Sequence, residues 1–178
     1  ELMRRRTVPE VAAILRRHPY FGDSLATLSP LDPHRGQIEE LLNQDLFRKY
    51  ETLVRYDFSL HSFATYYLDR LELNELLKML HLLSIGAPGA YMRRLPPYLE
   101  GHGQIDLYRM AGARSFEELL VVLEHTFYYK PVKALLDEDP TLENFPRVEA
   151  ILLKLYYEHV FALVEESFSG REKTSVQG

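Results

Sequence analysis

Apolar residues recur at helical spacing along almost the whole chain. Val8, Val11, Ala12, Ile14 and Leu15 mark one side of a helix that starts at a Thr7 cap and ends before Pro19. Pro9 falls in its first turn, where a missing N–H breaks no helical bond. A loop with Gly22, Pro30 and Pro33 follows. A second helix is predicted over about 36–58, with Ile38, Leu41, Leu42, Leu46, Tyr50 and Leu53 in register. A third, over about 62–84, carries Leu68, Leu71, Leu73, Leu76, Leu77 and Leu80. Glycines and prolines then break the pattern between 86 and 104, which predicts a linker, and a short helix is predicted over 105–111. A further helix starts at a Ser115 cap and presents Phe116, Leu119, Leu120, Val122 and Leu123. Pro131 and Pro140 mark a loop, and the last helix carries Val148, Ile151, Leu152, Tyr156, Val160 and Leu163. The fold class this implies is all-α.

The order of these elements repeats. Thr7 to Phe21 aligns with Ser115 to Tyr129 at a shift of 108, each copy opening on Ser/Thr-x-x-Glu and closing on an aromatic pair. Gln37 to Asp57 aligns with Arg147 to Ser167 at a shift of 110, and six apolar positions coincide. The organisation predicted is a first helical unit over 1–85, a linker with a short helix over 86–114, and a second unit over 115–178. No counterpart of the third helix follows Ser169-Gly170, so the second repeat is incomplete. Its last helix is expected to keep an apolar face partly uncovered, through a shortened chain, a tail without structure or a partner filling the gap.

Composition narrows the function. The 178 residues hold a globular balance of 26% charged and 46% apolar positions, enough for a normal core. A net charge of −5 argues against a primary nucleic-acid role, and the one basic run, Arg4-Arg-Arg6, reads as a solvated terminus. The absence of cysteine excludes disulfides and thiolate metal sites and fits a cytosolic protein. The uncharged stretch from Met79 to Met92 is too short and too broken to span a bilayer. No leader pattern is visible, and the chain starts on Glu1 rather than on Met.

Reactive constellations are not apparent. No acid stands three residues before any of the seven histidines, and no two histidines have zinc-protease spacing. His125 and His159 each follow a glutamate, but sequence neighbours on a helix point to different faces. Phosphate loops and nucleophile elbows are missing, and Gly101-His-Gly103 reads as a turn. The carboxylate pairs Glu39-Glu40, Glu117-Glu118 and Glu165-Glu166 read as solvating charge on polar faces. Three tyrosine pairs, Tyr66-Tyr67, Tyr128-Tyr129 and Tyr156-Tyr157, read as core packing with hydroxyls at helix ends or in water, the alternative being a protein interface. No catalytic, cofactor-binding or metal-ligating residue is predicted.

Several of these segments together resemble a known family. Leu95-Pro-Pro-Tyr-Leu99, Gly103-Gln-Ile-Asp-Leu107 and Ser115-Phe-Glu-Glu-Leu119, with Tyr128-Tyr129 shortly after, resemble the C-subunit family of V-type and A-type ATP synthases, which in eukaryotes is represented by the d-subunit. Val148 to Glu158 is similar to the helix those proteins place after the Tyr-Tyr loop. Leu71 to Leu77 is similar to the family's Glu-x-Asp-x-x-Asn-Leu segment, with Leu73 in place of the customary acid. The resemblance runs from Thr7 to Gly170. It implies three helical units about a pseudo-threefold axis, of which this chain shows fewer than two complete ones.

The same resemblance implies a non-catalytic central-stalk (rotor) component without cofactors, cytoplasmic and peripheral to the membrane. Its implied partners are the shaft subunits and the membrane rotor ring, which it couples for ion transport. An all-helical repeat suits that role, since packed helices supply stiffness and repetition a shaped surface. The alternatives are a helical-repeat adaptor for another soluble protein and an enzyme with a site in a helical cleft, which would need titratable groups converging from distant helices.

Overall fold

A computed structural model describes residues 7–29, 33–56 and 61–167. All regular secondary structure among the described residues is helical, as the periodicity requires. Helix α1 spans Val8–Arg17, with Pro9 in its first turn and Arg16 and Arg17 at its carbonyl end, where a cation is favoured. Thr7 is extended at the cap, but its side chain makes no capping hydrogen bond. Helix α2 spans Arg35–Tyr56; the predicted end at Phe58 lies outside the described residues.

Packing divides the chain into two compact units, residues 1–58 and 59–178. In the first, Ala12, Leu25, Leu28 and Ile38 form a buried cluster, with Val8, Leu15, Phe21, Leu41 and Leu42 against it. The chain leaves α1 through a tight turn in which Gly22 N–H donates to the His18 carbonyl at 2.9 Å. A Cβ on Gly22 would come within 2.8 Å of the Arg16 carbonyl oxygen, so this return passes too close for a side chain. Phe47, at 2% exposed, holds a core place while Leu46 stands 49% exposed, one position out of the predicted register.

The second unit is built round helix α3, His61–Ser84. Two 3-10 segments follow, Pro88–Arg94 and Pro97–Leu99, and then α4, Leu107–Gly112. Helix α5 spans Phe116–Leu123, α6 Tyr129–Glu138 and α7 Phe145–Ser167. Residues Leu73, Leu76, Met79 and Leu80 of α3 are fully buried. Its main neighbours are α7 and the 3-10 segment Pro88–Arg94, on which α4 also packs. Helices α3 and α7 run in opposite directions: His81 meets Phe145 at 4.8 Å between ring centroids, and Tyr156 reaches back to the Tyr66 carbonyl.

Three features differ from the sequence expectation. The segment read as a linker, 86–114, contributes Tyr91, Leu99, Ile105, Leu107 and Met110 to the core. Its prolines act as starters: Pro88 and Pro97 each open a 3-10 turn, where their fixed φ fits and no N–H is needed. The loop read from Pro131 is helix α6, since Pro131 lies in its first turn and removes no helical bond. The apolar face expected to be partly uncovered on the last helix packs against α3, with Val148, Leu152 and Tyr156 buried and Ile151, Val160 and Leu163 half-buried. By packing, α3 therefore belongs with the later elements, whereas the repeat groups it with the earlier ones. No helix among the described residues is long and apolar enough to cross a membrane.

Candidate functional site

The feature of the second unit that apolar packing does not explain is a row of three buried acids on α3. Asp69, Glu72 and Glu75 are 7%, 2% and 5% exposed. A carboxylate so far from water is costly unless neighbours donate to it or it keeps its proton. Each acid is met by a different segment of the chain.

Glu75 accepts from the Tyr91 hydroxyl at 3.1 Å and from Lys78 Nζ at 2.5 Å, which ties α3 to the first 3-10 segment. Tyr91 is fully buried, and burial pushes its hydroxyl well above the ordinary range, with Glu75 adding to the effect. It is therefore a donor at every accessible pH. Glu72 Oε1 accepts the Ile105 N–H at 2.6 Å, drawing in the chain just before α4. Burial raises the Glu72 carboxyl above its usual range, the Ile105 and Gln104 amides oppose the shift, and Asp69 adds to it. Asp69 faces α7, with His159 Nε2 3.6 Å from Oδ2. Burial raises the Asp69 carboxyl too, against opposing contributions from His159 and Thr65.

Two buried tyrosines complete the arrangement, and both donate to carbonyls of α3. Tyr128, just before α6, donates to the Asp69 carbonyl at 3.0 Å. Tyr156 of α7 donates to the Tyr66 carbonyl at 3.0 Å. Burial pushes the Tyr128 hydroxyl strongly upward and that of Tyr156 up to about 12, so neither ionises near neutrality. One face of α3 is thus bonded to the 3-10 segment, the approach to α4, the start of α6, and α7. Such an arrangement is suited to fixing helices in one register, since each bond is directional and buried.

Surface charge and grooves lie elsewhere. A groove of about 290 Å³ between α4 and α5 is lined by Arg109, Gly112, Ala113, Glu118, Val121 and Val122, and none of the acidic row reaches it. Among the described residues no group of three or more His, Cys, Asp or Glu side chains is placed to hold a metal ion.

The residues singled out by sequence fall in varied places. Ser115 caps α5 by accepting the Glu118 N–H at 3.3 Å, and Glu118 in turn accepts the Arg114 N–H at 2.7 Å. Glu39 pairs with Arg35 at 2.6 Å on an exposed face. Each tyrosine pair is split by the turn of its helix. Tyr128 and Tyr156 are buried, while Tyr66 and Tyr157 are 38% and 53% exposed. The buried hydroxyls seek the backbone of α3 rather than helix ends or water. His159 does acquire an acidic neighbour, but from another helix rather than from its own sequence. The acids on α3 escape a reading by motif, although a signal is present: Asp69, Glu72, Leu76, Met79 and Leu83 fall on one helical stripe.

The comparisons with known proteins bear on this unit and the first alike. The chain matches the family described as ATP synthase (C/AC39) subunit over residues 1–177. No curated protein and no solved structure matches it.

Proposed function

The chain belongs to the ATP synthase (C/AC39) subunit family, and from that premise we propose that it is a non-catalytic part of the central rotor. In this reading it sits between the shaft and the membrane ring of a V/A-type ATP synthase and passes torque from one to the other. The family match over residues 1–177 carries the proposal, because it spans both units. The construction of the second unit supports it. A coupler under load must resist shear between helices, and α3 is bonded to its neighbours by buried, directional contacts from Glu72, Glu75, Tyr128 and Tyr156. Its place at the membrane would come from the complex, since no described helix is suited to a span.

The test is recovery of partners. The complete gene product, tagged and expressed in its source, is captured from gently solubilised membranes and its companions are identified by mass spectrometry. Shaft and ring components in fixed proportion are the expected result. Their absence, with the captured protein folded by circular dichroism, overturns the proposal and leaves a helical adaptor of other proteins.

A further inference from the structure

The segment from Gly101 to Asp106 crosses α3 as a strap between the 3-10 turns and α4. Its residues 101–104 are exposed, while Ile105 is buried in the core at 4%. Ile105 N–H donates to Glu72 Oε1 at 2.6 Å, and the neighbouring Gln104 amide works with it against the upward shift of the Glu72 carboxyl. Gln104 Oε1 accepts the Phe127 N–H at 3.1 Å, which links the strap to the turn between α5 and α6. Gly103 lies so close to the carboxyl that a Cβ there would come 2.8 Å from Glu72 Cγ. The strap is laid directly over the acid.

The two oxygens of Glu72 live differently. Oε1 accepts an amide, while Oε2 is buried and has no hydrogen-bond donor among the described residues. An ionised carboxylate in this position would leave one charged oxygen without a donor, beside the second acid Asp69. A neutral carboxyl fits better, with Oε1 as the carbonyl that accepts and Oε2 carrying the proton. Opening the strap would admit water to the carboxyl and let it ionise.

We propose that the strap 101–106 is a proton-linked latch, closed over α3 while Glu72 carries its proton and loosened when Glu72 ionises. The direction follows from linkage. The closed form binds the proton more tightly than the open, hydrated form, so closure is favoured at low pH and lost as pH rises through the closed-form value. The upward shift that burial imposes on the Glu72 carboxyl agrees with this direction. The titratable and charged groups around it are Asp69, Arg70 and Glu75 on its own helix, Tyr91 on the first 3-10 segment, and His102 and Asp106 on the strap. Tyr128 before α6 also acts on Glu72, and Tyr156 and His159 on α7 act on Asp69 beside it. Tyr91, Tyr128 and Tyr156 stay neutral in the relevant range. Asp69, when ionised, reinforces the opening.

Hydrogen exchange of the full chain, read by mass spectrometry or NMR at Gln104 and Ile105, tests the latch. Protection, corrected for the intrinsic rate, is expected to fall by up to about tenfold per pH unit between the open-form and closed-form values. In Glu72→Gln the acceptor remains and its proton no longer matters, so the fall of protection with pH is expected to become clearly shallower. Equal pH dependence in both proteins overturns the proposal. Should Glu72→Gln not fold, carboxyl NMR of the unaltered protein decides. A Glu72 carboxyl signal that titrates above about 4.3, together with the Gln104 and Ile105 amides, supports the latch. Amide signals that ignore that titration refute it.

Discussion

Gly103→Ala isolates the close contact between the strap and the acid it covers. Gly103 does not lie in the left-handed region, so the substitution carries no backbone penalty and by itself would stabilise by about 0.4–1 kcal/mol through the unfolded chain. The obstacle is steric. The new methyl would overlap the Glu72 side chain, which is 2% exposed and held at Oε1 by the Ile105 N–H. Pushing a methyl into a filled site costs about 1–3 kcal/mol. Displacing the carboxyl from the Ile105 N–H leaves a buried donor unsatisfied, at about 1–3 kcal/mol more. Net of the backbone gain, the expected loss is about 1–5 kcal/mol. Urea unfolding followed by far-ultraviolet circular dichroism reads it as a midpoint lower by about 0.5–2.5 M, for an m-value of about 2 kcal/mol/M. Gly89→Ala is the control, because a Cβ there meets nothing within 4 Å and the backbone is not left-handed. A Gly103→Ala midpoint equal to that control would refute the reasoning. So would an undiminished loss in a Glu72→Ala background, where the obstacle has been removed and the two effects must fail to add.

Two further outcomes follow from the same geometry. Ser115→Ala is expected to cost about 1 kcal/mol, since Ser115 accepts the Glu118 N–H, while Thr7→Ala is expected to stay within about 0.5 kcal/mol because Thr7 makes no such bond. Equal shifts in the urea midpoint would contradict the contrast. Asp69 and Glu72 are both raised in the folded state, so the unfolded chain releases these protons first. Their protonation therefore favours the fold below the unfolded values near 4, and this support is lost as pH rises through the folded values. Asp69→Asn is expected to flatten the decline of urea stability with pH above about pH 4, and an unchanged slope would count against its burial.

Much of the fold was legible because its signal is local. The stripes of α1, α2, α3, α5 and α7 follow a period of 3.6, and the cap at Ser115 fixes one start by a short-range hydrogen bond. Prolines misled where their position within a turn mattered more than their presence. Pro88, Pro97 and Pro131 each stand in the first turn of a helical element, yet in a linear reading they look like interruptions. The family was also legible, in the order and spacing of the segments that carry the resemblance.

The sequence by itself determined that the chain is helical and that the family is that of the ATP synthase (C/AC39) subunit. Tertiary structure alone decided that α3 joins the later elements and that three of its acids are buried. The reason is the distance along the chain of what covers them. Glu72 is met by an amide 33 residues away, the carbonyl of Asp69 by a hydroxyl 59 away, and that of Tyr66 by one 90 away. A helical stripe records which side of α3 faces inward. Whether an acid on that side is left without partners, neutralised by a proton or bonded to a returning stretch of chain depends on segments that no local pattern connects to it.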